Sequence, residues 1–344
     1  MTSFAELTTT QVGGPITDFA EATDEAELIA AVRSADAAGI PLLVLGDGSN
    51  LIAADEPFEG RVVAVRTSGM KVDADDCESN MAMCGGVLAD IAAGMVWDDF
   101  VANAVRRQWV GIEALSGIPG RVGAAPIQNI GAYGQEVAQT IARVRTFDRA
   151  DQQVRTFAAA DCGFGYRNSI FKRERGRFVV LNVTFQLKMG DLSAPIGYDE
   201  LARSLGVEPG QRADLGAVRE AVLGLRRAKG MVVDPADPDT WSTGSFFVNP
   251  VVGADMVPAG ARSWPVAGGQ VKLSAAWLIE QAGFTKGYGS THARVSTKHT
   301  LALPNQGGAS AAEVIALAQE IRAGVQKRFG VRLDNEPSLV GLEL

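Results

Sequence analysis

Histidine is nearly absent from this chain: His292 and His299 are its only two among 344 residues. Sites that need an imidazole to take a proton from a serine, a cysteine or a substrate therefore have little to work with. Cysteine is scarce as well. Cys77, Cys84 and Cys162 are odd in number and share no metal-type spacing, so neither a disulfide framework nor a zinc site is supported, no metal is expected, and buried thiols are the reading. Positive charge is in deficit, with a net charge of -8, which argues against nucleic acid or a membrane surface as partner. No run of about 18 apolar residues occurs, and the opening MTSFAELTTT lacks a basic region followed by an apolar one. A cytoplasmic protein with a small-molecule partner, working as a monomer, is the expectation.

What is abundant is glycine, at 39 positions, in a chain that is 47% hydrophobic and 21% charged. That composition fits a globular protein rich in tight turns, and the length suggests two or three domains. Asp24 to Gly39 reads as an amphipathic helix with Leu28, Ile29 and Val32 on one face, capped by Thr23 or Asp24 ahead of Glu27. PLLVLG and RVVAV follow as strands around the turn-rich DGSN. Past Ser68 the stretch KVDADDCESNMAMCGG has strand character, and Val87 to Arg107 looks helical, with Trp97, Phe100, Val101 and Ala104 at helical spacing. Strands are expected at ARVRTFD, QVRTFA and RFVVLNVTFQL. After the Gly and Pro cluster at Gly206 to Gly210, a helix over Asp214 to Gly230 opens a third domain. That domain would hold the helix SAAWLIEQAG, a strand near HTLALPN and a long helix from Ser310 to Phe329; the last piece, VRLDNEPSLVGLEL, is strand-like and free to return to another domain.

Two glycine-bearing loops stand out. VLGDGSNLI brings a strand into a turn where Gly46 and Gly48 bracket Asp47, with Ser49 and Asn50 as side-chain donors; Leu51 stands where a dinucleotide fingerprint would place its third glycine. EALSGIPGRVGAAPIQNIGAYGQE alternates glycine and alanine with Ser116, Pro119, Gln128 and Asn129, which lets main chain approach a flat or phosphorylated ligand while offering hydrogen bonds. On its residues alone the first loop is more often an ordinary turn, whereas the second points to binding.

LGDGSNL, SGIPGRVGAAPIQNIGAYG, FGYRNSIFK, GSFFVNP, KLSAAWLIEQAG and the glutamate of VRLDNEPSLVG occur in this order from about Thr8 to Gly341. In that order they resemble the UDP-N-acetylenolpyruvoylglucosamine reductases, the MurB family of peptidoglycan synthesis. The resemblance implies an α+β fold: two N-terminal domains, 1–67 and 68–210, forming a vanillyl-alcohol-oxidase (PCMH) type FAD-binding fold, a substrate-binding domain at 211–330 that closes over the substrate, and a C-terminal strand segment at 331–344. It implies non-covalent FAD, NADPH as co-substrate, and reduction of UDP-N-acetylglucosamine enolpyruvate to UDP-N-acetylmuramate.

By the same resemblance, Gly46, Asp47, Gly48, Ser49, Asn50 and Leu51 hold the cofactor together with Ser116, Gly117, Ile118, Pro119, Gly120, Gly123, Ala124 and Ala125. Gln128, Asn129, Gly131, Ala132 and Tyr133 continue the flavin wall. Arg167 polarises the enolpyruvyl carboxylate through its planar fork. Glu336, among Leu333, Pro337, Leu339 and Val340, is a partly buried carboxyl able to donate. Ser245 gives the final proton, a role that needs no histidine. Tyr166 and Tyr198, the latter in the substrate-covering loop DLSAPIGYDEL of the family's longer branch, bind substrate, as does Asn249. Val248 stands where many relatives carry lysine, so Lys229 and Lys272 are the candidates for the substrate diphosphate. Without the motif context, Arg167 reads as a surface charge, Ser245 as a turn or cap residue and Glu336 as a solvated acid. Two alternatives are a flavin oxidase acting on an alcohol or 2-hydroxy acid, disfavoured by the scarcity of histidine, and a silent flavin or nucleotide-sugar sensor.

Overall fold

The computed structural model describes residues 2–74 and 86–344. Cys77, Cys84 and most of the stretch KVDADDCESNMAMCGG lie outside the described residues. The chain divides into two compact units that it enters by turns: one of residues 1–17, 48–58 and 228–344, the other of residues 18–47 and 59–227. The helix expected to open a third domain, Leu215–Ala228, falls by its contacts in the second of these units except for its final residue.

The larger unit, residues 18–47 and 59–227, is built on an antiparallel sheet. Its strands lie in the order Gln153–Ala158, Ile141–Asp148, Phe178–Met189, Val87–Ala92 and Met70–Ala74, with the short Trp109–Val110 added beside the end of Phe178–Met189. The expected helix from Val87 is thus corrected over its first turns: Val87–Ala92 is strand, and only Trp97–Arg106 is helix. Val87, Ala89 and Ile91 alternate inward and are buried while Leu88 faces out, so the period there is two rather than 3.6. In the helix that follows, Trp97, Phe100, Val101 and Ala104 pack inward as their spacing predicts. A second small sheet orders Ile16–Ala22, Phe58–Val65 and Leu42–Leu45, the last two parallel. The helix Glu25–Ala38 precedes its third strand. Asp24 accepts from the Glu27 amide at 2.8 Å, Thr23 holds the Glu27 carboxylate through its amide and hydroxyl, and Gly39 ends the helix at φ 65°. Cys162 is fully buried, and burial pushes its thiol up to about 12, as fits a structural thiol.

The unit of residues 1–17, 48–58 and 228–344 packs the helices Ala275–Gln281 and Ala311–Phe329 together, around a core that includes Phe246, Phe247, Leu278 and Ile321. Both helices are capped by serine: Ser274 accepts from the Trp277 amide, and Ser310 forms a capping box with Glu313. The C-terminal strand Ser338–Val340 pairs in parallel with Leu51–Ala53, so the tail returns to the segment that follows LGDGSN. No strand forms at HTLALPN. Its backbone groups bond to separate partners instead: Leu301 O accepts from Phe246 N, Ala302 O from Ser296 N, and Asn305 N donates to Trp241 O. Three loops share what a ladder would otherwise take. Among the described residues no helix is long and apolar enough to cross a membrane.

Candidate functional site

In the larger unit the second glycine loop is held at almost every peptide. Val122 N donates to Met95 O at 2.9 Å, Gly123 N to Ala93 O at 2.8 Å, and Gly120 O accepts from Trp97 N at 2.9 Å. Gly123 is needed sterically, because a Cβ there would stand 2.6 Å from that of Ala93. Ser116 is buried and donates to Glu113 O at 2.7 Å, so its hydroxyl shapes the loop. The buried Glu113 carboxylate accepts from Gly111 N, Ala194 N and the Gln135 amide.

The Gly117 peptide is gripped from both sides. Its N–H donates to Asp98 Oδ1 at 2.6 Å, and its carbonyl accepts from Arg226 Nε at 3.2 Å. Asp98 also takes both arms of Arg219, at 2.7 and 2.8 Å. For Asp98, burial acts to raise the carboxyl, yet Arg219 and the Gly117 amide outweigh it and hold it below the ordinary value. Burial pushes Arg226 down and pushes the Tyr133 phenol up to about 12, against the opposing charge of Arg226. Sequence reasoning missed Asp98, Arg219 and Arg226. The one available signal was the pair of arginines seven residues apart on the helix Leu215–Ala228, two turns along the same face.

FGYRNSIFK forms a two-residue turn, closed by Gly165 N to Asn168 O at 3.0 Å and the reciprocal bond at 3.1 Å. Arg167 sits at its tip with φ 50°, donating to Gly131 O at 2.6 Å and Asn129 O at 3.3 Å, with its guanidinium 5.6 Å from the Tyr166 ring. A Cβ on Gly131 would lie 2.9 Å from the backbone oxygen of Gln135 and 2.9 Å from the arginine's Nη1. Asn129 and Tyr133 are left-handed as well, at φ 49° and 48°. Asparagine tolerates that conformation, whereas Tyr133 and Arg167 hold it at a cost, local strain of the kind that clusters at functional sites. The Tyr198 ring meets that of Tyr133 edge-on at 5.5 Å, so the expected substrate-covering tyrosine packs on the expected flavin wall. Asp47 joins the second loop through Arg121, whose Nε donates to Asp47 Oδ1 at 2.6 Å.

In the other unit, Gly48 lies against Leu7 and Thr8, where a Cβ would come within 2.5 Å of Leu7 O. Asn50 O accepts from Ser338 N at 2.9 Å, and Asn50 Nδ2 donates to Glu336 O at 3.4 Å. DNEP runs antiparallel to SFFV: Glu336 N donates to Phe246 O at 2.8 Å, Val248 N to Asp334 O at 3.0 Å, and Phe247 bridges Asn335. This ladder brings the backbones of Ser245 and Glu336 together across 91 residues of sequence. Phe246 and Phe247 are buried and pack at 4.9 Å, while Ser245 and Glu336 are half-buried. Asn249 Oδ1 accepts from Ala275 N at 2.9 Å, so its carbonyl end is taken by the helix it precedes. Lys272 lies mid-strand between Val251 and Trp264, its ammonium 5.8 Å from the Trp264 ring centre, and Lys229 is half-buried just past the helix Leu215–Ala228.

Residues 18–157 match the family model described as FAD binding domain, and residues 235–340 match that of the UDP-N-acetylenolpyruvoylglucosamine reductase C-terminal domain. The chain is 52% identical to the UDP-N-acetylenolpyruvoylglucosamine reductase of Cutibacterium acnes, covering 98% of this chain and 89% of that one. It belongs to the UDP-N-acetylenolpyruvoylglucosamine reductase family. The same-named protein of Thermobifida fusca is 51% identical over 99% of this chain and 97% of its own. The crystal structure of a reductase of this name, MurB from Thermus caldophilus, matches with a TM-score of 0.64 and 25% identity, over 98% of this chain and 97% of that one. The chain is an α+β protein that pairs an FAD-binding region with the reductase family's C-terminal domain. Its larger unit suits such a cofactor: glycines keep side chains clear of the second loop, Arg121 pairs with Asp47 beside it, and half-buried Tyr133 offers an aromatic wall.

Proposed function

We propose that the chain reduces the enolpyruvyl group of UDP-N-acetylglucosamine enolpyruvate to give UDP-N-acetylmuramate for peptidoglycan, with NADPH as reductant. Bound FAD, held without a covalent link, would supply the hydride that adds to the enol ether's methylene carbon. The residues of the chain manage charge and the remaining proton. Arg167, always charged and presented at a strained tip, takes the substrate carboxylate, the electron sink of the conjugated double bond. Glu336 donates a hydrogen bond to the same developing charge. Ser245 delivers a proton to the carbon next to the carboxylate, where the enolate-like intermediate is basic enough to accept one from an alcohol. Tyr166, Tyr198, Asn249, Lys229 and Lys272 bind the nucleotide sugar. The glycine loops, from Gly46 to Leu51 and from Ser116 to Tyr133, hold the cofactor. The enzyme works as a cytoplasmic monomer, in the three-domain division of 1–67, 68–210 and 211–330 with a C-terminal strand segment.

The observation that supports this reading is the ladder of DNEP on SFFV, in which Glu336 N bonds the carbonyl of Phe246, the residue that follows Ser245. Membership of the reductase family supports the substrate. Stopped-flow measurement of the two half-reactions in Ser245→Ala tests the assignment. Reduction of the flavin by NADPH should proceed at the wild-type rate, while reoxidation by the enolpyruvyl nucleotide sugar slows by about 10³–10⁴-fold. Equal slowing of both halves would refute a proton-donor role.

A further inference from the structure

Arg121 belongs to the second glycine loop, yet its side chain acts on the first. Nε donates to Asp47 Oδ1 at 2.6 Å and Nη1 donates to Gly94 O at 2.7 Å. Arg66 reaches the same corner: its Nη1 donates to Gly46 O at 2.9 Å and to Val65 O at 3.1 Å, and lies 3.7 Å from Asp47 Oδ1. The backbone of Arg121 is meanwhile bridged to Val96, and the Gly94 amide donates to Thr67 Oγ1 at 3.0 Å. One guanidinium thus ties together the end of the strand Leu42–Leu45, the turn after Val87–Ala92 and the loop at Gly120 to Ala125. All of these residues lie in one unit, and Asp47 and Arg121 both fall within the segment that matches the FAD-binding model.

The charges explain why an acid is tolerated in a loop expected to face a diphosphate. An unpaired aspartate there would repel the ligand, whereas Asp47 is matched by Arg121 and Arg66, with Glu21 3.7 Å from Arg66 on the far side. We infer that Asp47 and Arg121 are positioning residues for the flavin dinucleotide, an ion pair that sets the spacing of the two glycine loops before the cofactor's diphosphate arrives. Affinity then comes from main-chain donors already in place, because loops that must be ordered on binding subtract their ordering cost from it. This rests on the FAD reading above.

The test is FAD affinity and release, followed by recovery of flavin fluorescence, beside the melting temperature of the flavin-free protein. Wild type is compared with Arg121→Ala, Arg121→Lys and the charge-swapped double variant Asp47→Arg/Arg121→Asp. Arg121→Ala should weaken FAD binding by about 10–100-fold, mostly through faster release, with the flavin-free melting temperature little changed. Arg121→Lys should lose part of this, because lysine lacks the fork whose Nε and Nη1 reach Asp47 and Gly94 separately, and the swap should recover at least about tenfold over Arg121→Ala. FAD affinity of Arg121→Ala within about twofold of wild type would overturn the inference. So would a loss of affinity that tracks a fall in flavin-free stability and is not recovered by the swap. A wild-type protein that takes up no flavin at all would instead sink the functional reading on which the inference rests.

Discussion

The two units hold their candidate site residues by opposite means. In the larger unit the glycine wall is fixed by side-chain charge and by strained backbone: Asp98 with Arg219, Asp47 with Arg121, and three left-handed residues at Asn129, Tyr133 and Arg167. In the other unit Ser245 and Glu336 stand on a main-chain ladder anchored by buried Phe246 and Phe247, and neither has a left-handed backbone. The lesson concerns what each can tolerate. A wall built from partnered charges is sensitive to pH and to charge-changing substitution, whereas a ladder over an apolar anchor is sensitive to lost volume.

The largest effect expected from breaking this contrast comes from the apolar anchor. Phe246→Ala should destabilise its unit by about 3–5 kcal/mol through lost burial and the cavity left behind, seen in chemical denaturation as an earlier transition. Next is Arg167→Lys, which keeps the charge but cannot bond Gly131 O and Asn129 O while presenting a fork. Its kcat/KM for the nucleotide sugar should fall by about 10–100-fold with the unfolding midpoint nearly unchanged. The smallest effect is confined to acid. The Asp98 carboxyl is held below its ordinary value, so the unfolded chain binds the proton more readily and stability rises with pH across that window. The contribution is present above the unfolded-state value near 4 and is lost as pH falls through the lower folded-state value. Asp98→Asn should therefore flatten the acid limb of a stability profile while also lowering stability at neutral pH. An acid limb as steep as wild type would show that Asp98 does not set it.

Local chemistry made much of the molecule legible. The caps at Asp24, Ser274 and Ser310, the inward stripe of Trp97, Phe100, Val101 and Ala104, and the glycine loops could all be recognised within a few residues of sequence. The strand Val87–Ala92 escaped because its period-two pattern runs, after a short turn, into a helix and the joined stretch reads as one helical run. HTLALPN has strand composition but spends its backbone bonds on three loops, a matter of tertiary context that no local pattern carries. The charged pairs were invisible for the same reason. Asp47 and Arg121 are 74 residues apart, and Asp98 and Arg219 are 121 apart, so nothing in either neighbourhood announces its partner.

The central claim, a flavin reductase of an enolpyruvyl nucleotide sugar, is tested most directly under anaerobic conditions. NADPH should bleach the flavin absorbance near ~450 nm, and UDP-N-acetylglucosamine enolpyruvate, added afterwards with oxygen still excluded, should restore it with one UDP-N-acetylmuramate formed per flavin reoxidised. Flavin that stays bleached until oxygen is admitted, with no muramate formed, would contradict the account and favour an oxidase.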